Sequence, residues 1–563
     1  MMWLINLVRN RFWYSMSKPL NPKSLVPLNR QPAFLIHNSS FIIHHSTQRA
    51  LFAIILISTS ISGFSQFNPQ SKTIAERFFP EPELTIQTPA FQKKEGFTKY
   101  EEMMTWLNQT IQPHGETVSL SFIGESQKGK KIPLLILTHK NNQPKIRIWM
   151  QGGLHGDEPA GTEAMLHLID QLLNNPEYAT ILNEIELALV PMANIDGYEK
   201  LQREAANGMD LNRDQTRLKA QESIALKTAF SRFQPAVALD FHEYRPYRKH
   251  FTRMGKAGIT SRFDAMFLYS GNLNVPQVLR DFTRNTFVKN AENVLDQNGM
   301  VHHDYITTQK YGGLVEFNLG SVHSRSSATN FALSNCVSTL LEIRGVGIDR
   351  MSFKRRVKSS FLIALSYLQT TIKEKEKLIS VLKESAASQQ PVVVTSEKLK
   401  RKDSIRVIDL ASETEMKIAF TFHDALQSKP VLQRNRPMAY LLQPDEKSAA
   451  YRLKVLGLVV DSLLEDKELE VESFEMGQPK EEEQKEEEEE TEHSAAAALT
   501  RTIRRNFKKG SYVVYSNQPR FPLAAEVLEP ENANGFVAMN VIKSKGNQEI
   551  PVYRYMGSER ITK

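Results

Sequence analysis

The chain has 563 residues, 41% hydrophobic and 24% charged, with a formal net charge of +8 and one cysteine, Cys336. Such a length exceeds one ordinary core and predicts two or three domains of soluble globular type. A single cysteine excludes an intrachain disulfide and a cysteine-rich metal site. The charge excess comes without a nucleic-acid-binding motif, so it does not read as a nucleic-acid footprint.

Residues 1–48 show no clear amphipathic period. Arg49 then precedes an apolar run, 51–61, and small residues up to Gln66. A basic flank, a short apolar stretch and a small-residue zone predict a secretory signal, and the run is short for a membrane span of about 20 apolar residues. Residues 1–66 are therefore expected to be an N-terminal extension plus signal peptide, with an uncleaved membrane anchor as the alternative. The protein is expected to be exported, periplasmic or secreted, and to meet a membrane only through that segment. A helix is predicted over 97–108 and a strand over 118–122. Apolar runs at 132–137, 146–150, 185–191, 237–241 and 337–343 then alternate with helical patterns at 160–173 and 221–233, and a helix over 355–384 follows. Continuous apolar runs between amphipathic helices predict an α/β domain, 67–385, with a buried, mostly parallel sheet that binds ligands beyond its strand ends. Short runs at 391–395, 417–422, 453–460, 510–515 and 551–555 predict a smaller β-rich accessory domain, 386–563. An acidic insertion, 478–496, interrupts it as a disordered or solvated segment.

The most informative stretch is Gln151-Gly-Gly-Leu-His155-Gly-Asp-Glu158-Pro159. A strand ends in a glycine-rich turn that presents an imidazole and a carboxylate three residues apart, before a helix that begins near Pro159. Both groups can reach one zinc ion at about 2.0–2.2 Å. His242 ends another apolar run about eighty residues on, where sheet ends converge. Two histidines and one glutamate leave a coordination position for water, which points to a catalytic zinc, one per chain. Glu342 lies near the end of the buried run 337–343, a costly place for a carboxylate without a role or a partner; Arg344 is the candidate partner.

Between these groups stand Asn194-Ile-Asp-Gly197, Arg203 and Gly208-Met-Asp210-Leu-Asn212-Arg213. In this order, with His155, Glu158, His242 and Glu342, they resemble the zinc carboxypeptidases related to carboxypeptidase A. The resemblance covers about residues 151–347, is most specific at Asp-Leu-Asn-Arg, and does not reach the C-terminal region. It implies a carboxypeptidase-like mixed, mostly parallel sheet flanked by helices. It also implies hydrolysis of the C-terminal peptide bond of peptides by zinc-activated water. By the same resemblance Glu342 is the general base, Arg203 stabilises the oxyanion, and Asp210 fixes the tautomer of His155. Asn212 and Arg213 would hold the substrate carboxylate, and Tyr311 is the match for a tyrosine that covers the substrate. Arg325 and Arg344 are further candidates for binding an anionic substrate, and the Glu243-Tyr244 pair leaves the substrate class open. His302 and His303 are adjacent on a strand and read as surface or cleft-lining residues, not a second metal pair. The substrate is expected to be a peptide or an acyl amino acid. A zinc amidase or deacylase acting on cell-wall peptides or acyl amino acids remains an alternative. So does a non-catalytic zinc- or substrate-binding protein, although Arg203 and Glu342 weigh against pure binding.

Overall fold

In the computed structural model residues 71–311, 313–476, 498–543 and 549–562 are described. The expected signal at 49–66 and the acidic run within 478–496 lie outside them. The first half forms β1 (Val118–Glu125), β2 (Lys131–Leu137), β3 (Ile146–Gly152), β4 (Ile185–Val190) and β5 (Val237–Tyr244). Then come β6 (Ile259–Ser261), β7 (Ala265–Leu268), β8 (His302–Asp304), β9 (Ile306–Tyr311), β10 (Leu314–Leu319) and β11 (Val337–Arg344). Eight of these make one sheet, in the order β1-β2-β4-β3-β5-β11-β7-β8. Its four inner strands, β4, β3, β5 and β11, are mutually parallel, while β1, β2 and β7 enter antiparallel pairs. Every residue of β5 is buried. A strand with both faces covered must be apolar without alternation, which is why the runs at 146–150, 185–191 and 237–241 show no period of two.

The covering helices are α1 (Tyr100–Ile111), α2 (Pro159–Asn174), α3 (Gln221–Phe233), α4 (Phe353–Lys373) and α5 (Lys375–Ala387). α2 lies so close to β5 that a Cβ on Gly161 would sit 2.7 Å from the Phe241 Cβ. On the opposite face Trp149 of β3 meets Phe230 of α3 edge-on at 5.7 Å. The single helix expected over 355–384 is two, because the backbone leaves helical geometry at Glu374 (φ −104°, ψ 19°).

The region after 390 forms β12 (Val392–Asp409) and β13 (Thr414–Arg434), a long hairpin, and then β14 (Ala439–Leu442) and α6 (Lys447–Val455). The chain continues with β15 (Asp461–Ser462), β16 (Lys467–Met476), β17 (Ala498–Phe507), β18 (Tyr512–Tyr515), α7 (Phe521–Leu528) and β19 (Glu549–Tyr555). The runs at 391–395 and 417–422 are parts of the hairpin. It joins a five-stranded sheet, β6-β12-β13-β10-β9, with strands from the first half. The strand expected over 453–460 is instead the end of α6 and the loop after it. Leu453 and Leu456, three apart, are fully buried, whereas Val459 is 64% exposed. The last strands form a third sheet, β15-β18-β14-β19-β16-β17. Residues 68–563 are one compact unit, and Phe521, Leu523 and Ala524 of α7 share a core with Trp149 and Phe230. Among the described residues no helix is long and apolar enough to cross a membrane.

Candidate active site

Strand ends and register assemble the site. The turn after β3 turns left-handed at Gly153 (φ 62°) and carries His155 and Glu158 to the start of α2. Gly156 is packed so tightly that a Cβ there would lie 2.1 Å from the Gly197 carbonyl carbon. On β5 His242 stands directly opposite Glu342 of the neighbouring parallel strand β11. Pairing in register thus places two groups a hundred residues apart on the same face.

Among the described residues His155, Glu158 and His242 are a group whose ligand atoms all lie within 4.8 Å of one another, each side chain buried. The His155 Nδ1 is 2.8 Å from Glu158 Oε1, the His242 Nδ1 is 2.8 Å from Glu158 Oε2, and the two Nδ1 atoms are 3.0 Å apart. Each ring has a carboxylate behind it. Asp210 Oδ1 lies 3.0 Å from His155 Nε2. Asp240 Oδ2 lies 3.1 Å from His242 Nε2, poorly aligned for a linear hydrogen bond. Carboxylates at both Nε2 atoms favour the proton there and turn both Nδ1 lone pairs onto one point shared with Glu158. Lone pairs so arranged repel unless positive charge lies between them, and two imidazoles with one carboxylate are a donor set that suits zinc. The charges around the groups act in the same direction. Burial and Arg203 oppose charge on His155, yet Glu158 and Asp210 raise its pKa above the usual value. Burial opposes charge on His242, yet Asp240 and Glu158 raise it well above. Glu158, although buried, is held down by the two histidines.

Arg203 lies across this cluster. Its Nε donates to Asp210 Oδ2 at 3.0 Å, and its Nη1 is 3.1 Å from His155 Nδ1. Glu342 is raised to about 7, first by burial and then by Glu158, with His242, His155 and Arg203 pulling it back. Asn212 accepts a hydrogen bond from the Ser327 backbone N–H at 2.8 Å through Oδ1, which turns its NH₂ away from that contact. Arg213 donates to the Asn212 carbonyl at 3.2 Å. Glu158, Arg203, Asp210, Arg213, Arg325 and Glu342 line a cleft of about 970 Å³. Arg203, Asn212, Arg213 and Glu342 also line a smaller cavity of about 70 Å³.

Several other expected residues are held by the fold, Glu243 and Tyr244 among them although they line the main cleft. Tyr311 lines neither cavity: its ring stacks on His423 at 3.9 Å and its hydroxyl donates to Asn318. Tyr305, just before β9, lines both; two tyrosines six residues apart cannot be ranked by spacing alone. Arg344 is spent on the fold, with its guanidinium bonded to the Ser261 carbonyl and Thr260 and lying over the Phe79 ring. Glu243 is a buried partner of Arg356 and accepts from the Ala160 N–H in the first turn of α2, while Tyr244 donates to the Phe263 carbonyl. His302 sits beside Asp296 and Glu292, and the His303 ring packs on Phe263. Asp240 was legible in principle, since an aspartate two residues before His242 on a buried strand shares its face.

The sequence profile of the family described as zinc carboxypeptidase matches residues 103–233. That span holds His155, Glu158, Arg203, Asp210, Asn212 and Arg213, but neither His242 nor Glu342. Carboxypeptidase 2 of Trichophyton equinum is 28% identical over 444 residues, covering 76% of this chain and 81% of its own. Carboxypeptidase M of Mus musculus is 29% identical over 130 residues, 20% of this chain and 29% of its own. A metallo-carboxypeptidase structure from Burkholderia cenocepacia aligns with a TM-score of 0.39 at 16% identity, over 49% of this chain and 70% of that one. Residues 103–233 thus match the zinc carboxypeptidase family, and the longer alignment is with proteins named carboxypeptidase 2.

Proposed function

We propose that the protein removes the C-terminal residue of peptides, with His155, Glu158 and His242 holding one zinc ion and Glu342 acting as general base. The observation that carries this reading is the register pairing of Glu342 with His242, beside the converging His155 and Glu158. Bound there, zinc supplies Lewis acidity toward the scissile carbonyl and lowers the pKa of water. The remaining roles belong to the chain. Glu342, held near neutrality, takes a proton from the attacking water and returns it to the leaving amine. The Arg203 guanidinium, fixed by Asp210, faces the oxygen on which charge develops. Asp210 and Asp240 keep the two imidazoles in the tautomer and orientation that ligation needs. Arg213 and the Asn212 amide bind the substrate's terminal carboxylate, and Tyr305, which lines both cavities, covers the scissile region in place of Tyr311.

The cleft of about 970 Å³ favours a peptide over a short acyl amino acid, because it has room for several residues ahead of the scissile bond. We further propose that the protein is exported through the segment ending near Gln66, and that residues 386–563 act as non-catalytic walls and support for residues 67–385. The test is paired: metal content, and release of C-terminal residues from blocked peptides, for the wild type and Glu342→Gln. One zinc per chain with Glu342-dependent release supports the reading. Cleavage of acyl amino acids alone moves it to a deacylase, and zinc without turnover moves it to a binding protein.

A further inference from the structure

A helix begins with backbone N–H groups that no carbonyl of its own accepts, and the side chain at its N-cap normally takes one of them. In α2 the N-cap is Glu158, whose side chain makes no such bond. Both of its oxygens are engaged elsewhere, Oε1 beside His155 and Oε2 beside His242. Pro159 has no N–H, so the first donor inside the helix is Ala160.

That donor is met from β5. The Ala160 N–H donates to Glu243 Oε2 at 2.9 Å. Neighbouring residues of a strand point to opposite faces, so β5 offers His242 to the candidate site and turns Phe241 and Glu243 toward α2. The other Glu243 oxygen, Oε1, accepts from Arg356 Nε at 2.8 Å and lies 2.6 Å from its Nη2. Arg356 is buried on α4, with Nη1 on the Asp349 carbonyl and its guanidinium over the Phe353 ring. Gly345, just after β11, leaves room for the pair: a Cβ there would lie 1.7 Å from Glu243 Oε1. A buried carboxylate is costly without partners and is favoured at a helix N-terminus. Glu243 has a guanidinium on one oxygen and the helix on the other. One strand therefore carries a candidate metal ligand on one face and, on the other, the acceptor that seats the helix of a second ligand.

We propose that Glu243 is a positioning residue: it caps α2 in place of Glu158, which leaves both Glu158 oxygens directed at the two histidines, and Arg356 holds it there. The inference rests on the reading of His155, Glu158 and His242 as zinc ligands. Arg356 lines neither cavity, so a change at Arg356 reaches the metal site through Glu243 and α2.

The test measures zinc affinity of the full chain by competition against a chromophoric chelator, beside its melting curve. Arg356→Met should weaken zinc binding about tenfold or more, as loss of an outer partner of a ligand does. Arg356→Lys, which keeps the charge without the planar fork, should recover part of that loss. Arg355→Met is the control, because it breaks a second buried pair one residue earlier on α4, in which Arg355 Nε donates to Asp264 Oδ1 at 2.6 Å. Its melting temperature should fall while zinc affinity stays within about twofold, as for independent sites. Gly345→Ala keeps every charge and displaces the Glu243 carboxylate, and it should weaken zinc binding even if Arg356→Met does not fold. Amide exchange at Ala160 should quicken in both Arg356→Met and Gly345→Ala. Wild-type zinc affinity in the folded variants, or an equal loss in Arg355→Met, overturns the proposal and leaves the carboxypeptidase reading standing. A wild type that binds no zinc overturns both.

Discussion

Replacing Asp240 with asparagine separates metal binding from catalysis. Asp240 is fully buried on β5, two residues before His242 and on the same face, with its carboxylate 3.1 Å from the ring Nε2. It touches neither cavity. The substitution keeps the side chain's shape but removes its charge and puts an NH₂ donor in place of one carboxylate oxygen, so His242 becomes a weaker base at Nδ1. Loss of such an outer carboxylate lowers metal affinity about 10- to 100-fold, or about 1.4–2.7 kcal/mol. Competition against a chromophoric chelator reads this directly. Differential melting of the zinc-loaded and stripped proteins reads it again, because the stabilisation conferred by zinc shrinks by the same free energy at fixed zinc concentration. At saturating zinc, kcat should stay within a few-fold of wild type. Asp210→Asn is the contrasting variant: Asp210 also anchors Arg203, so kcat falls even when zinc is restored. The reasoning is refuted if Asp240→Asn keeps wild-type zinc affinity, or if it loses turnover with the metal fully bound.

Glu342→Gln should retain zinc and lose about 100- to 10,000-fold in kcat. Because Glu342 must be ionised to act as a base, activity is lost as pH falls through its pKa. Burial and Glu158 set that pKa at about 7, and a bound dication lowers it, so the acid limb of kcat/KM in the zinc enzyme should lie below about 7; a pH–rate profile locates it. Gly156→Ala places a Cβ 2.1 Å from backbone that no side-chain rotation can move, and should cost several kcal/mol, about 3 or more, in denaturant melts or abolish soluble expression. Glu526→Ala leaves the buried amides of Asn272, Asn274 and Asn532 without their shared acceptor, and should destabilise by about 2–4 kcal/mol in the same assay.

What was legible in the sequence was local. The β3 run, the glycine turn and Pro159 announce a strand, a turn and a helix, and His155 and Glu158 are readable because backbone geometry alone brings them together. His242 is readable because it ends a run buried on both faces. The facing of Glu342 and His242 is a matter of strand register, which is decided by pairing and not by either strand's composition. The hairpin 392–434 was seen only in fragments, because much of its length is partly exposed and its polar residues break the apolar pattern. Residues 453–460 were misread because Leu453, Val455, Leu456 and Leu458 satisfy a strand template as well as a helix over so short a run. Lys398 carried no signal at all: only the β10–β13 pairing and a break in the β12–β13 ladder give it a place in the wall of the smaller cavity.

The region after 390 packs against the elements that carry the candidate site. β13 lies parallel to β10, which places the hairpin along the strand that carries Asn318. Farther on, Glu526 of α7 accepts from Asn272, Asn274 and Asn532, joining the loop after β7 to the segment that follows α7. That segment sends the Asn534 carbonyl to Thr216 and brings Met539 to the wall of the main cleft. The proposed metal ligands and general base lie between 155 and 342, while parts of the walls come from 398 and 539. A change at Glu526 should therefore reach the cleft by loosening Met539 and the loop at 270–274, raising KM before it touches kcat. The candidate metal ligands and general base thus lie in one stretch of the chain and part of the cleft wall in another.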